Sequence, residues 1–340
     1  MDFTLHNSFS DLNETEWNTL LGSAITNVPF LRYEYLNRWW QTGGGGEWNE
    51  RSLALVAARQ AGLLVGIAPL FHTPNHQGIP RLMLLGSIEI SDYLDLIVSQ
   101  QHHEEFCTGL LNFLSTAPLP PWDALDLYNL LENSPTLTTL AAIASRANLH
   151  VEKEKLQHCP YIPLPGDWDI YLAGIDKKQR HEIRRKIRRA EESGIPLRWY
   201  IVSERANLDD EIQSFLDLMS QDAPKAAFLT PAMRLQMKTS LAAAFDAGYL
   251  SLAFLEIGGQ KAAAYLNFDY LNRIWVYNSG VNRSLMEYSP GWVLLGYLLQ
   301  WANQTGKKEF DFMRGDEEYK YRFGGVDRFV WRMILKNASA

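Results

Sequence analysis

Two segments about 200 residues apart constrain this chain more than any other feature. SLALVAARQAGLLVGIAPLF begins at Ser52, and SLAFLEIGGQKAAAYLNF begins at Ser251. Both open with Ser-Leu-Ala, run as a strand, turn through glycine and return as a second strand rich in small residues. Such a recurrence predicts two copies of one α/β unit; a coincidental likeness of two β-hairpins is the competing reading. The length of 340 residues, about twice a usual domain, accommodates two units. Hydrophobic residues at 46% and charged residues at 21% supply a core and exclude a mainly disordered chain.

The elements around the two hairpins are similar in kind. In the first half, helices are expected over 14–21 and 33–41, with Gly43 to Gly46 as a flexible connection. Strands follow over 52–58, 63–71, 82–85 and 93–98, then a helix over 102–114, a strand over 124–130, a helix over 137–147 and a strand over 149–156. Prolines at 160, 163 and 165 mark the boundary between an N-terminal domain, 1–165, and a C-terminal domain, 166–340. In the second half, helices are expected over 170–193, 209–219, 231–247 and 291–305. Strands are expected over 250–257, 261–269, 273–280, 308–312 and 329–335. The Gly258-Gly259 turn makes the hairpin at 250–269 the clearest in the chain.

Charge is uneven. The net charge of −7 and pI near 5.7 argue against a general nucleic-acid binder, and no DNA partner is expected. The exception is 176–192, where Lys177, Lys178, Arg180, Arg184, Arg185, Lys186, Arg188 and Arg189 stand against four acids. Asp176 is a suitable N-cap, Gly194-Ile195-Pro196 a stop, and Ile183, Ile187 and Ala190 form one narrow apolar stripe. The helix therefore docks along one edge. Its cations form either a solvated face, with Glu182–Lys186 as an i,i+4 pair, or a platform for phosphates of a cofactor or tRNA.

The densest chemistry lies near the end. Ser289-Pro290-Gly291 opens a helix that is apolar nearly all round, and its N-terminus suits a pyrophosphate. The run KKEFDFMRGDEEYKYRFGG follows. Alternation around Phe310 and Phe312 marks a strand that projects Asp311 to one side. Arg314, Asp316, Glu317, Tyr319, Lys320 and Arg322 then crowd a glycine-bounded loop. The plain reading is a self-neutralising surface turn; the functional one is a site carried by a rigid scaffold.

Taken together, the basic helix, the small-residue hairpin, Ser-Pro-Gly before an apolar helix, and FDFMRGDEEYKYRFG resemble the CelD-like branch of the GNAT acyltransferase superfamily, related to the FemABX aminoacyltransferases. PFLRYEYLNRWW from Pro29 and SDYLDLIV from Ser91 extend the resemblance into the first half. The usual pyrophosphate motif, Arg/Gln-x-x-Gly-x-Gly/Ala, is absent, and Ser289-Pro290-Gly291 stands in its place. The resemblance implies two tandem GNAT-like domains of class α/β (α+β), each a mixed, mainly antiparallel sheet flanked by helices. It implies transfer of an acyl group from acyl-CoA, as a co-substrate rather than a bound cofactor, to a primary amine of a small molecule or an envelope or polysaccharide precursor.

Such a reaction needs a base, donors for the oxyanion and an acid for the leaving group. On the resemblance, Asp311 or Asp269 is the base, Tyr277 or Tyr319 the acid, and Ser289, Pro290 and Gly291 hold the donor. Arg314 and Lys320 hold anionic groups, with Lys320 counted among the catalytic residues. Asp316, Tyr319, Asp92, Tyr93 and Asp95 bind the acceptor, the last three from the first domain across a cleft. Two alternatives remain: aminoacyl transfer from tRNA to a peptidoglycan precursor, and a non-catalytic binding module.

Other chemistries find less support. Pro74 separates His72 from His76 and spoils their helical metal spacing, so no metal is expected. No GxSxG and no P-loop pattern is present. The N-terminus, with Asp2, Glu14 and Glu16, lacks the pattern of a signal peptide. The longest apolar run, 62–71, contains Pro69 and falls short of the ~20 residues that span a bilayer. Cys107 and Cys159 form no CxxC pair, which predicts a reduced, cytoplasmic chain.

Overall fold

A computed structural model describes residues 1–337. In chain order the regular elements are β1 (Asp2–His6), α1 (Glu14–Gly22), α2 (Tyr33–Gly46), β2 (Ser52–Gln60), β3 (Leu63–Pro74), β4 (Pro80–Leu84), β5 (Ile97–Val98), α3 (His103–Leu114), β6 (Ala124–Leu131), α4 (Thr136–Arg146), β7 (Leu149–His158), β8 (Tyr161–Pro163), α5 (Trp168–Gly174), α6 (Lys177–Glu191), β9 (Leu197–Ile201), α7 (Leu208–Met219), α8 (Ala223–Phe228), α9 (Pro231–Asp246), β10 (Leu250–Ile257), β11 (Gln260–Tyr270), β12 (Arg273–Val281), α10 (Pro290–Gln304), β13 (Glu309–Asp311), α11 (Glu318–Arg322) and β14 (Phe329–Asn337). The class is the expected one: two α/β units, each with a mixed, mainly antiparallel sheet flanked by helices.

The first unit comprises Met1–Gln157 and the closing strand β14. Its sheet runs β1-β2-β3-β4-β6-β14-β7, with β5 beside β3. All neighbours whose register is defined are antiparallel except β4 and β6, which are parallel. The second unit, His158–Arg328, has the order β8-β13-β12-β11-β10-β9, with the β12–β13 pair parallel. The two segments that open Ser-Leu-Ala are the hairpins β2–β3 and β10–β11, one in each sheet.

The division therefore falls at 157/158, not 165/166, and the last strand belongs to the first sheet, not the second. The reason is pairing. Pro160–Pro163, expected as a boundary, includes β8, whose Ile162 faces Phe310 of β13. β14 pairs with β6 from Val330↔Leu131 to Lys336↔Ala124. The final three positions of the expected 166–340 domain lie outside the described residues.

Two local readings are also corrected. The helix expected over 170–193 is two helices, because Asp176 leaves helical geometry and its carboxylate caps the amides of Lys178 and Gln179 at 2.9 and 3.3 Å. Gly43 to Gly46 is a packed turn rather than a flexible connection. Gly44 has φ +66°, and a Cβ there would meet the Trp39 ring at 3.0 Å.

In the second unit the sheet positions everything that follows. One face packs on α10 and α6: Ala253, Leu255, Ala263, Tyr265 and Val276 from the strands meet Leu294, Leu298 and Ile183. α10 is apolar nearly all round because it is enclosed between the sheet and α6. The opposite face carries α7 and α9.

Candidate functional site

β12 is the centre of the site because its two edges are treated differently. One edge pairs with β11 along the strand. The other meets β13 over three positions only, Arg273↔Glu309 to Trp275↔Asp311. The chain then leaves: Phe312 donates its N–H to the Pro160 carbonyl at 2.9 Å, and Gly315 donates to His158 at 2.9 Å. Beyond Trp275, β12 continues to Val281 with β13 gone from its side. A β-bulge lies at the point of parting. Leu266 pairs with Asn278 and Asn267 with Val276, so Tyr277 is the extra residue. A bulge kinks its strand and re-aims a side chain. Here it turns the Tyr277 ring onto Phe268, centroids 5.8 Å apart.

A cavity of about 510 Å³ opens at this end of β12, lined by Asp222, Lys225, Ser279, Gly280, Val281 and Arg283 among others. Its floor requires glycine. A Cβ on Gly280 would lie 2.5 Å from the Met219 backbone nitrogen, so α7 rests directly on the strand. Gly280→Ala is expected to cost about 1–3 kcal/mol by overpacking, seen as a lower urea midpoint at unchanged slope. A midpoint equal to the parent's would show that α7 yields freely.

Lys225 of α8 donates from Nζ to the Ser279 carbonyl at 2.6 Å. Burial lowers its pKa, with Asp222 and Glu317 acting in the opposite sense. Ser279 is the register partner of Tyr265, a buried tyrosine whose hydroxyl is pushed far up by burial and further by Tyr319 and Glu317. Tyr319 stands edge-on to Phe312, and its own pKa is raised by burial first and by Glu317 second. The electrostatic couplings thus tie Lys225, Tyr265, Glu317 and Tyr319 into one group beside the uncovered stretch of β12.

Lys320 explains how the loop holds this arrangement. Its side chain is 3% exposed, and Nζ donates to the carbonyls of Arg314 (2.8 Å) and Gly315 (3.0 Å) and pairs with Glu317 at 2.9 Å. Its ammonium hydrogens are engaged, so Lys320 pins the loop. Gly315 has φ +111°, and a Cβ there would sit 2.4 Å from the Glu317 carboxylate. Glycine at 315 is what lets Glu317 lie back over the backbone.

The other expected residues separate. Asp311 is fully buried, pairs with Arg328 and accepts the Met313 N–H at 2.8 Å, contacts that hold the strand end. Asp269 is held by Lys307 at 2.6 Å through both oxygens. Its register partner Ile274 lies five residues from Ser279, roughly 15 Å along the strand, so it too falls outside the group. Arg314 is half-buried and gives its carbonyl to Lys320; Asp316 is exposed on the loop.

In the first unit, Tyr93 is fully buried and Asp92 nearly so. Asp95 is also buried and accepts from Thr26 (2.6 Å), Thr136 (2.6 Å), Ser134 and the Leu96 amide (2.8 Å). Burial raises the Asp95 pKa and these bonds oppose it. It braces its own loop. Lys225, Tyr265 and Ser279 were missed by sequence reasoning. Only Lys225 had a local signal, a lysine after Asp222 and Pro224 in a capped turn.

Ser289, Pro290 and Gly291 begin α10 close to the end of β12; a Cβ on Gly291 would lie 3.1 Å from Val281. Ser289 is left-handed at φ 51° and its side chain makes no cap. Pro290 has no N–H, and the amides of Trp292 and Val293 both return to the Ser289 carbonyl at 3.0 and 3.1 Å. Ser289 donates its own N–H to Met286 at 2.9 Å, so of the five positions 289–293 Gly291 alone keeps an amide for an anion. Nearby, α6 docks on α10 through Ile187, whose Cδ1 occupies the space above Gly296, and Lys186 lies 3.9 Å over Trp292. Arg185 and Arg184 are engaged with Glu182 and Asp169, whereas Lys177, Lys178, Arg188 and Arg189 are exposed.

The family model described as an acetyltransferase (GNAT) domain matches residues 177–321, which contain the whole of this group. No curated protein matches the sequence. Among solved structures, FemX superposes with a TM-score of 0.69 at 12% identity, covering 100% of this chain and 98% of its own. L-PGS from Bacillus licheniformis gives 0.60 at 12% identity, covering 96% and 93%. The C-terminal domain of a putative lysylphosphatidylglycerol synthetase from Agrobacterium fabrum gives 0.57 at 11%, covering 96% and 92%. These are likenesses of fold.

Proposed function

We propose, on the match of residues 177–321 to the acetyltransferase (GNAT) domain model and a fold shared with FemX, that the protein is an N-acyltransferase that moves an acyl group from acyl-CoA to a primary amine. The acceptor is a small molecule or an envelope or polysaccharide precursor. The observation that carries this reading is the parting of β13 from β12 after Trp275. An uncovered strand edge offers backbone groups to an extended ligand, and the pantetheine arm of CoA carries two amides suited to it.

The chemistry then falls to the group beside Ser279. Glu317 takes the proton from the attacking amine, directly or through water, and Lys320 holds it in place. Tyr319, kept protonated by burial, gives its proton to the departing thiolate. Tyr277, set apart by the bulge, orders the strand at the reacting carbonyl.

A second reading, aminoacyl transfer from tRNA, draws on two observations. The start of α10 leaves one amide for a pyrophosphate, and α6 carries exposed cations. Thermal shift separates the two. At about 100 times its dissociation constant a ligand adds roughly 2.7 kcal/mol to the folded state. Acetyl-CoA and longer acyl-CoAs are expected to raise Tm, and uncharged tRNA is expected not to. No shift with any CoA species, with a tRNA response that declines steeply with salt, would transfer the assignment to aminoacyl transfer.

A further inference from the structure

α8 is short, yet its geometry is closely determined. Asp222 caps it by accepting the Lys225 backbone N–H at 3.3 Å, and the same carboxylate is engaged by Arg283 at 3.3 Å. The Lys225 side chain then runs inward to Ser279, on the β12 edge that β13 has left, and lines the cavity there. Among the described residues no carboxylate is in salt-bridge contact with its ammonium; its close partner is the neutral Ser279 carbonyl. A primary amine is thus fixed within the cavity where the acyl donor is proposed to lie, hydrogen-bonded to the very strand edge the donor would follow.

We infer that Lys225 is itself an acyl acceptor, so that the enzyme acylates its own Nζ from the thioester donor. The inference rests on the acyl-CoA reading above. In the step, the Lys225 ammonium loses a proton, to Glu317 or to water. Nζ attacks the thioester carbonyl, a C–N bond forms and the C–S bond breaks. Sulfur leaves as thiolate and takes a proton to become free CoA thiol. The products are an amide at Lys225, CoA and one net proton, and no further reactant is required. Burial favours the neutral amine at Lys225, whereas Lys177 and Lys178 lie exposed on α6.

The test uses the full chain incubated with acetyl-CoA near neutral pH, followed by peptide mapping by mass spectrometry. An acetyl increment is expected on the Lys225 peptide, formed at least about 10-fold faster than on Lys177 or Lys178, since fixed proximity raises the effective concentration of the amine. Desulfo-CoA in excess should suppress the increment at Lys225 and leave the slow reaction of the exposed lysines unchanged. Lys225→Arg, which keeps a donor for the Ser279 carbonyl, should remove it. If acetyl-CoA raises Tm yet Lys225 is modified no faster than Lys177 and Lys178, the inference fails and the acyl-CoA reading stands. If acetyl-CoA neither stabilises the fold nor modifies Lys225, both fall.

Discussion

Tyr319→Phe is expected to lower kcat by about 10²- to 10⁴-fold, the usual worth of a positioned proton donor, with KM for the acyl donor changed little. The ring would stay where Phe312 holds it, 5.9 Å away and nearly perpendicular, so the variant removes the hydroxyl and not the packing. Because burial and Glu317 hold that hydroxyl protonated, the parent enzyme should lose no activity to Tyr319 ionisation below the ordinary tyrosine range of about 10. Steady-state kinetics with an amine acceptor, run against pH, reads both. A variant with parental kcat would remove Tyr319 from the reaction and leave Tyr277 as the acid.

The largest effect on stability is expected from Arg328→Met. The guanidinium lies over the Tyr161 ring at 4.4 Å and pairs with Glu309 at 2.9 Å and with the fully buried Asp311. It therefore ties β8 to β13 at the place where β13 leaves β12. Removing it strands a buried carboxylate, which typically costs 3–5 kcal/mol. Urea unfolding should show a loss of that order. Adding Asp311→Asn in the same chain should recover part of it, since the uncompensated charge is then gone. A loss below about 1 kcal/mol would mean that water reaches Asp311, and the expectation of a foundation at the strand's end would fail.

What the sequence made legible follows from the range over which each feature is determined. α6 is local: an Asp cap, an apolar stripe and a Gly-Ile-Pro stop lie within 21 residues, and the helix begins at that cap, although the expected range of 170–193 ran through it into α5. The hairpins β2–β3 and β10–β11 are nearly as local, each closed by a short glycine turn. β8 is three residues among prolines and exists because β13 is there to pair with it, so no periodicity announces it. β14 was expected as a strand, but nothing in its own residues says which sheet will take it.

The candidate site divides in the same way. The loop after β13 was marked by its density of charge, and Glu317, Tyr319 and Lys320 do stand together. Their roles were not marked. Lys320 and Asp311 look like open reactive groups in sequence, yet both are buried and engaged by their neighbours. Lys225 looked ordinary and was brought to Ser279 by a fold contact 54 residues away in sequence.

The strand β14 has a consequence for how the protein is made. It occupies the slot between β6 and β7, where Arg332 grips Asp126 through two bonds of 2.8 Å and Lys336 reaches Glu152 at 2.7 Å. On the ribosome, β6 and β7 emerge first, and the whole of the second unit must be synthesised before their shared neighbour arrives. At ordinary elongation rates that interval is on the order of 10–30 s. For that time two strand edges stand open, the condition under which chains pair with the wrong neighbour. A nascent protein of this topology keeps those edges exposed for longer than one whose sheets finish in order.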